Sequence, residues 1–163
     1  EENLKIFFKK NSINNVKKKI NWENTNVKTI VRVVEGPQFD YFSKKSIKEF
    51  FSSPYKVTNN TDRMGMRLDG HKIENIKSSN IASEGIIRGS IQVTGDGCPI
   101  VLMVDHPTIG GYPKIATVIS ADFSKISQLS PGKDVFFKKI NIFEAQKIFY
   151  KKEKKLSLLF ESI

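Results

Sequence analysis

From Lys28 onward the sequence runs as a series of short β-prone stretches, each closed by a glycine, proline or aspartate turn. Strand-like runs outnumber helical ones, and no long helix alternates regularly with them. A β-barrel or sandwich with a few short helices therefore fits better than a parallel sheet. KTIVRVV (28–34) is rich in β-branched residues and stops at Gly36-Pro37, as a strand entering a turn does. Ser43 then precedes KKSIKEFF, where Ile47, Phe50 and Phe51 fall at helical spacing, and Pro54 limits that helix. In DRMGMRLD (62–69), Met64, Met66 and Leu68 alternate with Arg63, Gly65, Arg67 and Asp69, so a strand would place the two sets on opposite faces. Ser90–Val93 and Pro99–Asp105 flank TGDG, a hairpin signal, and the apolar PIVLMVD reads as an internal strand. KIATVIS predicts a strand followed by a short helix from Ser120 or Asp122. Pro131-Gly132 makes a turn and DVFFKKI another strand. Asn141 caps a terminal helix with Glu144 at its third position, running on through Lys151.

The 163 residues suffice for one domain that buries roughly 70% of its unfolded surface. Residues 1–27 are polar and lysine-rich and read as a boundary region, although Leu4, Ile6 and Phe7 can start a short strand; residues 28–163 carry the domain. The net charge of +10 invites a nucleic-acid reading. Its placement argues against one, because lysine concentrates at Lys9–Lys19 and Lys151–Lys155, which read as solvated faces or tails. No apolar run approaches the ~20 residues of a membrane span. The single cysteine, Cys98, excludes an intramolecular disulfide, and no signal peptide is visible, so a cytoplasmic location is expected.

DHPTIGGYPKIA (105–116) is the strongest local candidate for a site. Gly110 and Gly111 permit positive φ and close approach of a ligand, their N–H groups can hold an anion, and Lys114 adds a cation. Asp105, at the end of a buried strand, can orient an amide or take a proton. The plainer alternative is a glycine turn with Tyr112 and Pro113 packed over it. Arg63 and Arg67, flanking Gly65, can grip a carboxylate or simply form a solvent face. Ser83 and Glu84 of IASEGI can bear chemistry, but Ser-Glu-Gly is also an ordinary turn. His71 and His106 show no zinc spacing, so no protein-ligated metal is expected, and Cys98 lacks a placed base. No GxxxxGK[ST] or GxGxxG loop is present, hence no recognisable cofactor motif.

The stretches RVVEGPQFDYF, FFSSPYKVTNNTDRMGMRL, IASEGIIRGSIQV and PIVLMVDHPTIGGYPKIATVISADFSKISQLSPGKDVFF, followed by Glu144-Ala145, resemble in order the allophanate hydrolase subunit 2 family. That family includes the C-type subunit of 5-oxoprolinase and the carboxyltransferase portion of urea carboxylase. The resemblance implies a mainly β, cyclophilin-like barrel over residues 28–163. Members are about twice this length, which makes residues 1–27 the tail of an N-terminal half or a divergent joint. It also implies a partner of the B type found in 5-oxoprolinase complexes. Two chemistries follow: ATP-dependent opening of the 5-oxoproline lactam to glutamate with A-type and B-type partners, or biotin-dependent carboxyl transfer to urea, with ATP or biotin entering at the level of the complex. A non-catalytic, partner-binding role is the further alternative. On the matching motifs Asp105, Lys114 and Arg67 are the expected catalytic residues, and Arg63, Gln92, Gly110, Gly111 and Tyr112 the expected substrate contacts. In this reading the arginines or Lys114 hold a carboxylate or phosphate, and Asp105 and Gln92 orient the amide. His106-Pro107 stands where many relatives read Arg-Gln, which removes a cation.

Overall fold

The structure, a computed structural model, describes residues 28–161; the short strand expected near Leu4 lies outside them. Seven strands close into a barrel in the order β1-β8-β5-β6-β3-β2-β9. These are β1 (Thr29–Glu35), β2 (Tyr55–Thr61), β3 (Gly65–Asp69), β5 (Ser90–Val93), β6 (Pro99–Leu102), β8 (Lys114–Val118) and β9 (Asp134–Lys139). Six of the seven neighbouring pairs are antiparallel; the parallel pair β1–β9 completes the ring, Thr29 facing Val135 and Val33 facing Lys139. Closure leaves none of the seven strands with an unpaired edge. Two short strands, β4 (Glu84–Gly85) and β7 (Ile109–Gly110), form a separate antiparallel pair.

Inward-facing residues fill the barrel. Val31, Val33, Val57, Met66, Leu68, Ile91, Val101, Ile115 and Val135 are all buried in one cluster. The expected helix forms as α1 (Lys44–Ser52), with the Ser43 hydroxyl accepting from the Ser46 N–H as its cap. Phe50 of α1 stacks on Phe137 at 4.8 Å between ring centroids and tilts against Tyr55. The helix predicted after Ser120 appears as a 3-10 turn (Ser120–Asp122) leading into α2 (Phe123–Ser127), whose Ile126 is fully buried. Asp122, with no exposed side chain, accepts from Arg32 Nε at 2.7 Å and from the Arg32 backbone N–H at 3.0 Å. Burial pushes the Asp122 carboxyl up, but the Arg32 hydrogen bonds and Lys125 outweigh it and hold it below its ordinary value.

Three details depart from the sequence reading. Strand β2 was not anticipated, because Asn59 and Asn60 disguise a run in which only Tyr55 and Val57 face inward. Strand β3 starts at Gly65, so Met64 is half exposed and Arg63 lies in the preceding turn, whose Asp62 carboxylate accepts from the Met64 and Gly65 N–H groups. Strand β6 ends at Leu102 rather than Asp105. The terminal helix α3 (Ile142–Glu161, 20 residues) runs through Lys151 as expected and then continues to Glu161; Asn141 caps it, accepting from the Glu144 N–H at 2.8 Å. It docks by Ala145 against Ile119, Ala121 and Ile140. Among the described residues no helix is long and apolar enough to cross a membrane.

Candidate functional site

Barrel register places one row of residues across four strands. Lys114 on β8 faces Gln92 on β5, Gln92 faces Ile100 on β6, and Ile100 faces Arg67 on β3. Ile91, Val93, Met66 and Leu68 point into the core, so the alternating residues Gln92 and Arg67 lie on the outer face. An irregularity between β5 and β8 at Ile91/Gln92 brings Lys114 onto the same row. Polar residues on the outside of a barrel are ordinarily solvated. Gln92 and Lys114 are buried instead, while Arg67 at the far end of the row is exposed.

Two segments do the covering. The first is the turn before the 3-10 segment Phe39–Tyr41: Gly36 donates to the Ile115 carbonyl at 3.0 Å, and the Gln38 side-chain oxygen accepts from the Lys114 N–H at 3.1 Å. A Cβ at Gly36 would fall 2.2 Å from the Lys114 carbonyl oxygen, so only glycine lets the chains approach this closely. The second is the β4–β7 pair. Glu84 on β4 forms an ion pair with the Lys114 ammonium and accepts from Gln38 Nε2 at 2.8 Å. Gly110 on β7 lies directly over Gln92, where an added Cβ would meet Nε2 at 2.8 Å and Ile86 at 3.1 Å. Gln92 Nε2 also points toward the Tyr112 carbonyl at 3.5 Å, and the Gly111 carbonyl accepts from the Ile81 N–H. The structure thus gathers Gln92, Gly110, Gly111, Tyr112 and Lys114 in one place.

The glycine pair acts differently from its expected role. Neither Gly110 nor Gly111 has positive φ, so the turn does not form the alternating-hand N–H cradle anticipated for an anion. The requirement for glycine is steric, set by the approach to Gln92 and to the Ile81 carbonyl.

Charge at the site is concentrated on one buried cation. The Lys114 side chain is 4% exposed and that of Glu84 41%. Lys114, then Gln38, hold the Glu84 carboxyl below its ordinary value. Apart from that ion pair, no acceptor among the described residues takes a hydrogen bond from the buried Lys114 Nζ. An ammonium carries three donors, and leaving buried donors unused is costly. Among the described residues no cluster of three or more His, Cys, Asp or Glu is placed to hold a metal ion.

Residues 3–139 match the family described as carboxyltransferase domain, subdomain A and B. The chain belongs to that family. Within it, the chain is 36% identical over 117 residues to the C-type subunit of 5-oxoprolinase from Escherichia coli (strain K12), covering 72% of this chain and 38% of that protein. It is 35% identical over 127 residues to the corresponding 5-oxoprolinase protein of Haemophilus influenzae, covering 78% and 41%. The chain therefore spans about two fifths of these relatives. The crystal structure of the Kluyveromyces lactis urea amidolyase superposes with a TM-score of 0.76 at 30% identity, over 80% of this chain and 8% of that one.

In this carboxyltransferase-family chain the remaining expected residues stand apart from Lys114. Arg63 donates to Asp105 through Nε at 2.5 Å and Nη2 at 3.2 Å, on the surface, with side chains 77% and 48% exposed. The Arg63 hydrogen bond lowers the Asp105 carboxyl, which keeps it ionised and a poor proton acceptor. The expectation that Asp105 stands at the mouth of a buried strand fails because β6 ends three residues earlier. Arg63 and Arg67 do not share a strand face, since Arg63 is in the turn. Arg67 stays on the Lys114 row but three strands away, roughly 14 Å at about 4.8 Å per strand. Sequence reasoning missed Gln38 altogether and left Glu84 open between a chemical role and an ordinary turn. The only local signal was their position just after Gly36-Pro37 and just before Gly85, segments whose convergence on Lys114 is set by the barrel.

Proposed function

We propose that this chain supplies the carboxyl-terminal half of the C-type component of an ATP-dependent 5-oxoprolinase, which opens a lactam to glutamate together with A-type and B-type partners. The observation that carries this reading is the buried Lys114 ammonium with donors to spare, beside the Gln92 carboxamide. A planar amide needs its carbonyl oxygen polarised before attack, and a charged donor in a water-poor site does so far more strongly than one in solvent. Lys114 takes the carbonyl oxygen, Gln92 the amide plane, and Gly110, Gly111 and Tyr112 form the wall that fixes the ring. Arg67, roughly 14 Å along the row at about 4.8 Å per strand, lies too far from Lys114 to hold the carboxylate of the same ring-sized substrate. Asp105, engaged with Arg63, takes no step. ATP enters through the partners, and the two 5-oxoprolinase relatives support the substrate class.

A second reading, the carboxyltransferase portion of a urea carboxylase acting with biotin, is supported by the likeness to the urea amidolyase structure. Urea also presents a planar carbonyl to Lys114. The deciding experiment mixes the purified chain with its cognate A-type and B-type partners, with and without an N-terminal half, and measures ATP-dependent glutamate release from 5-oxoproline. Release that requires this chain supports the lactam reading. Carboxylation of urea by a biotin-bearing partner, without glutamate release, supports the second. Stable association with the B-type partner and neither activity would make the chain a binding module.

A further inference from the structure

Lys114 and Glu84 are unequally placed, and the inequality restricts what Lys114 can bind. The ammonium is almost wholly enclosed, whereas its carboxylate partner sits half exposed on a two-residue strand outside the barrel. Gln38 ties the two together: its oxygen accepts from the Lys114 backbone N–H and its Nε2 donates to the same Glu84 oxygen that contacts the ammonium. The cation is thereby neutralised by Glu84, and apart from that ion pair no acceptor among the described residues takes a hydrogen bond from its Nζ.

We propose that Glu84 is the specificity-determining residue of this site, restricting Lys114 to a neutral carbonyl oxygen and excluding anionic ligands. The inference rests on the reading of Lys114 as the substrate contact. A second anion at Lys114 would be buried beside the Glu84 carboxylate, where like charges repel and neither can be fully solvated. A neutral amide oxygen meets no such repulsion and accepts the free donors. Gln38 is a positioning residue, because it bonds both the Glu84 carboxylate and the Lys114 backbone N–H and so fixes the carboxylate against the ammonium. The ligand class at Lys114 is thus an uncharged lactam, amide or urea oxygen. Any carboxylate on the substrate must therefore be held by a group other than Lys114.

The test follows the lysine ammonium signals of the full chain by ¹⁵N NMR, with the Lys114 signal assigned by its loss in Lys114→Met. The probes are 2-pyrrolidone, urea and acetate. In the wild-type chain the neutral probes move the Lys114 signal and acetate does not. In Glu84→Gln the order reverses, acetate binding strengthening at least about tenfold, and Glu84→Asp restores the wild-type order. Acetate moving the Lys114 signal in the wild type, or Glu84→Gln leaving the preference unchanged, would overturn the proposal. So would a Lys114 signal that none of the three probes moves. Urea binding without pyrrolidone binding leaves the neutral-oxygen inference standing and sinks the lactam reading, so the two fail separately. Circular dichroism of each variant confirms that a changed preference is not a loss of fold.

Discussion

Lys114–Glu84 and Arg63–Asp105 are both ion pairs with one member in the glycine-rich segment Asp105–Ala116, yet they have little in common physically. Arg63 and Asp105 meet in solvent, where water already satisfies both partners and the pair adds little. Lys114 is enclosed by barrel, turn and β4–β7 pair, and among the described residues its charge is met by Glu84 with no further acceptor for its ammonium. The same residue types therefore serve different ends. Enclosure, rather than charge, distinguishes a site from a surface decoration.

Six substitutions, grouped into four tests, would break or sharpen that contrast. The largest effect is expected from Lys114→Met in the reconstituted complex, which should lower turnover by about 10² or more, as loss of a charged transition-state donor does. Steady-state assay of glutamate release reads it, and turnover within tenfold of wild type would remove Lys114 from the chemistry. Next comes Gly36→Ala, which drives a Cβ into the Lys114 carbonyl and cannot be relieved by a side-chain turn. Urea denaturation should show a loss of about 3 kcal/mol. Gly110→Ala is the sharper companion, because the atoms it meets are side-chain ends of Gln92 and Ile86 rather than backbone, so it should impair the site more than the fold.

The third concerns Asp122, whose side chain is fully buried against Arg32. Asp122 has its carboxyl lowered in the folded state, so its contribution is complete above the ordinary aspartate value of about 3.9 and disappears as pH falls through the folded value. Thermal midpoints measured from pH 7 down to pH 2 should fall in that acid window, and Asp122→Asn should flatten the fall while lowering the midpoint at pH 7. A pH profile unchanged by Asp122→Asn would show that other carboxyls govern acid unfolding. The smallest effect belongs to Arg63→Ala and Asp105→Asn, each expected to leave the thermal midpoint within error. A measurable loss from either would show that the pair contributes to the fold despite its exposure.

Much of the architecture was legible from residue order. Alternation in β3, the Asp-Gly hairpin between β5 and β6, the Ser43 and Asn141 caps and the strand before Ser120 are all local effects, fixed by pleat period and by hydrogen bonds within a few residues. β2 escaped because only its first half carries a core pattern. The candidate site was legible only in part, since the GGYPK run marks itself by composition, but what covers it does not.

By itself the sequence determined a mainly β chain, the turns that break it and a cationic glycine-rich segment with Lys114 at the head of a strand. Tertiary structure alone decided that Gln38 and Glu84 converge on that lysine from 76 and 30 positions away, and that Asp105 turns outward to Arg63. The physical reason is that strand and cap formation depend on neighbours along the chain, whereas burial of a charge depends on which distant segments close over it. Those segments are arranged by the register of a closed barrel, a property of all its strands together.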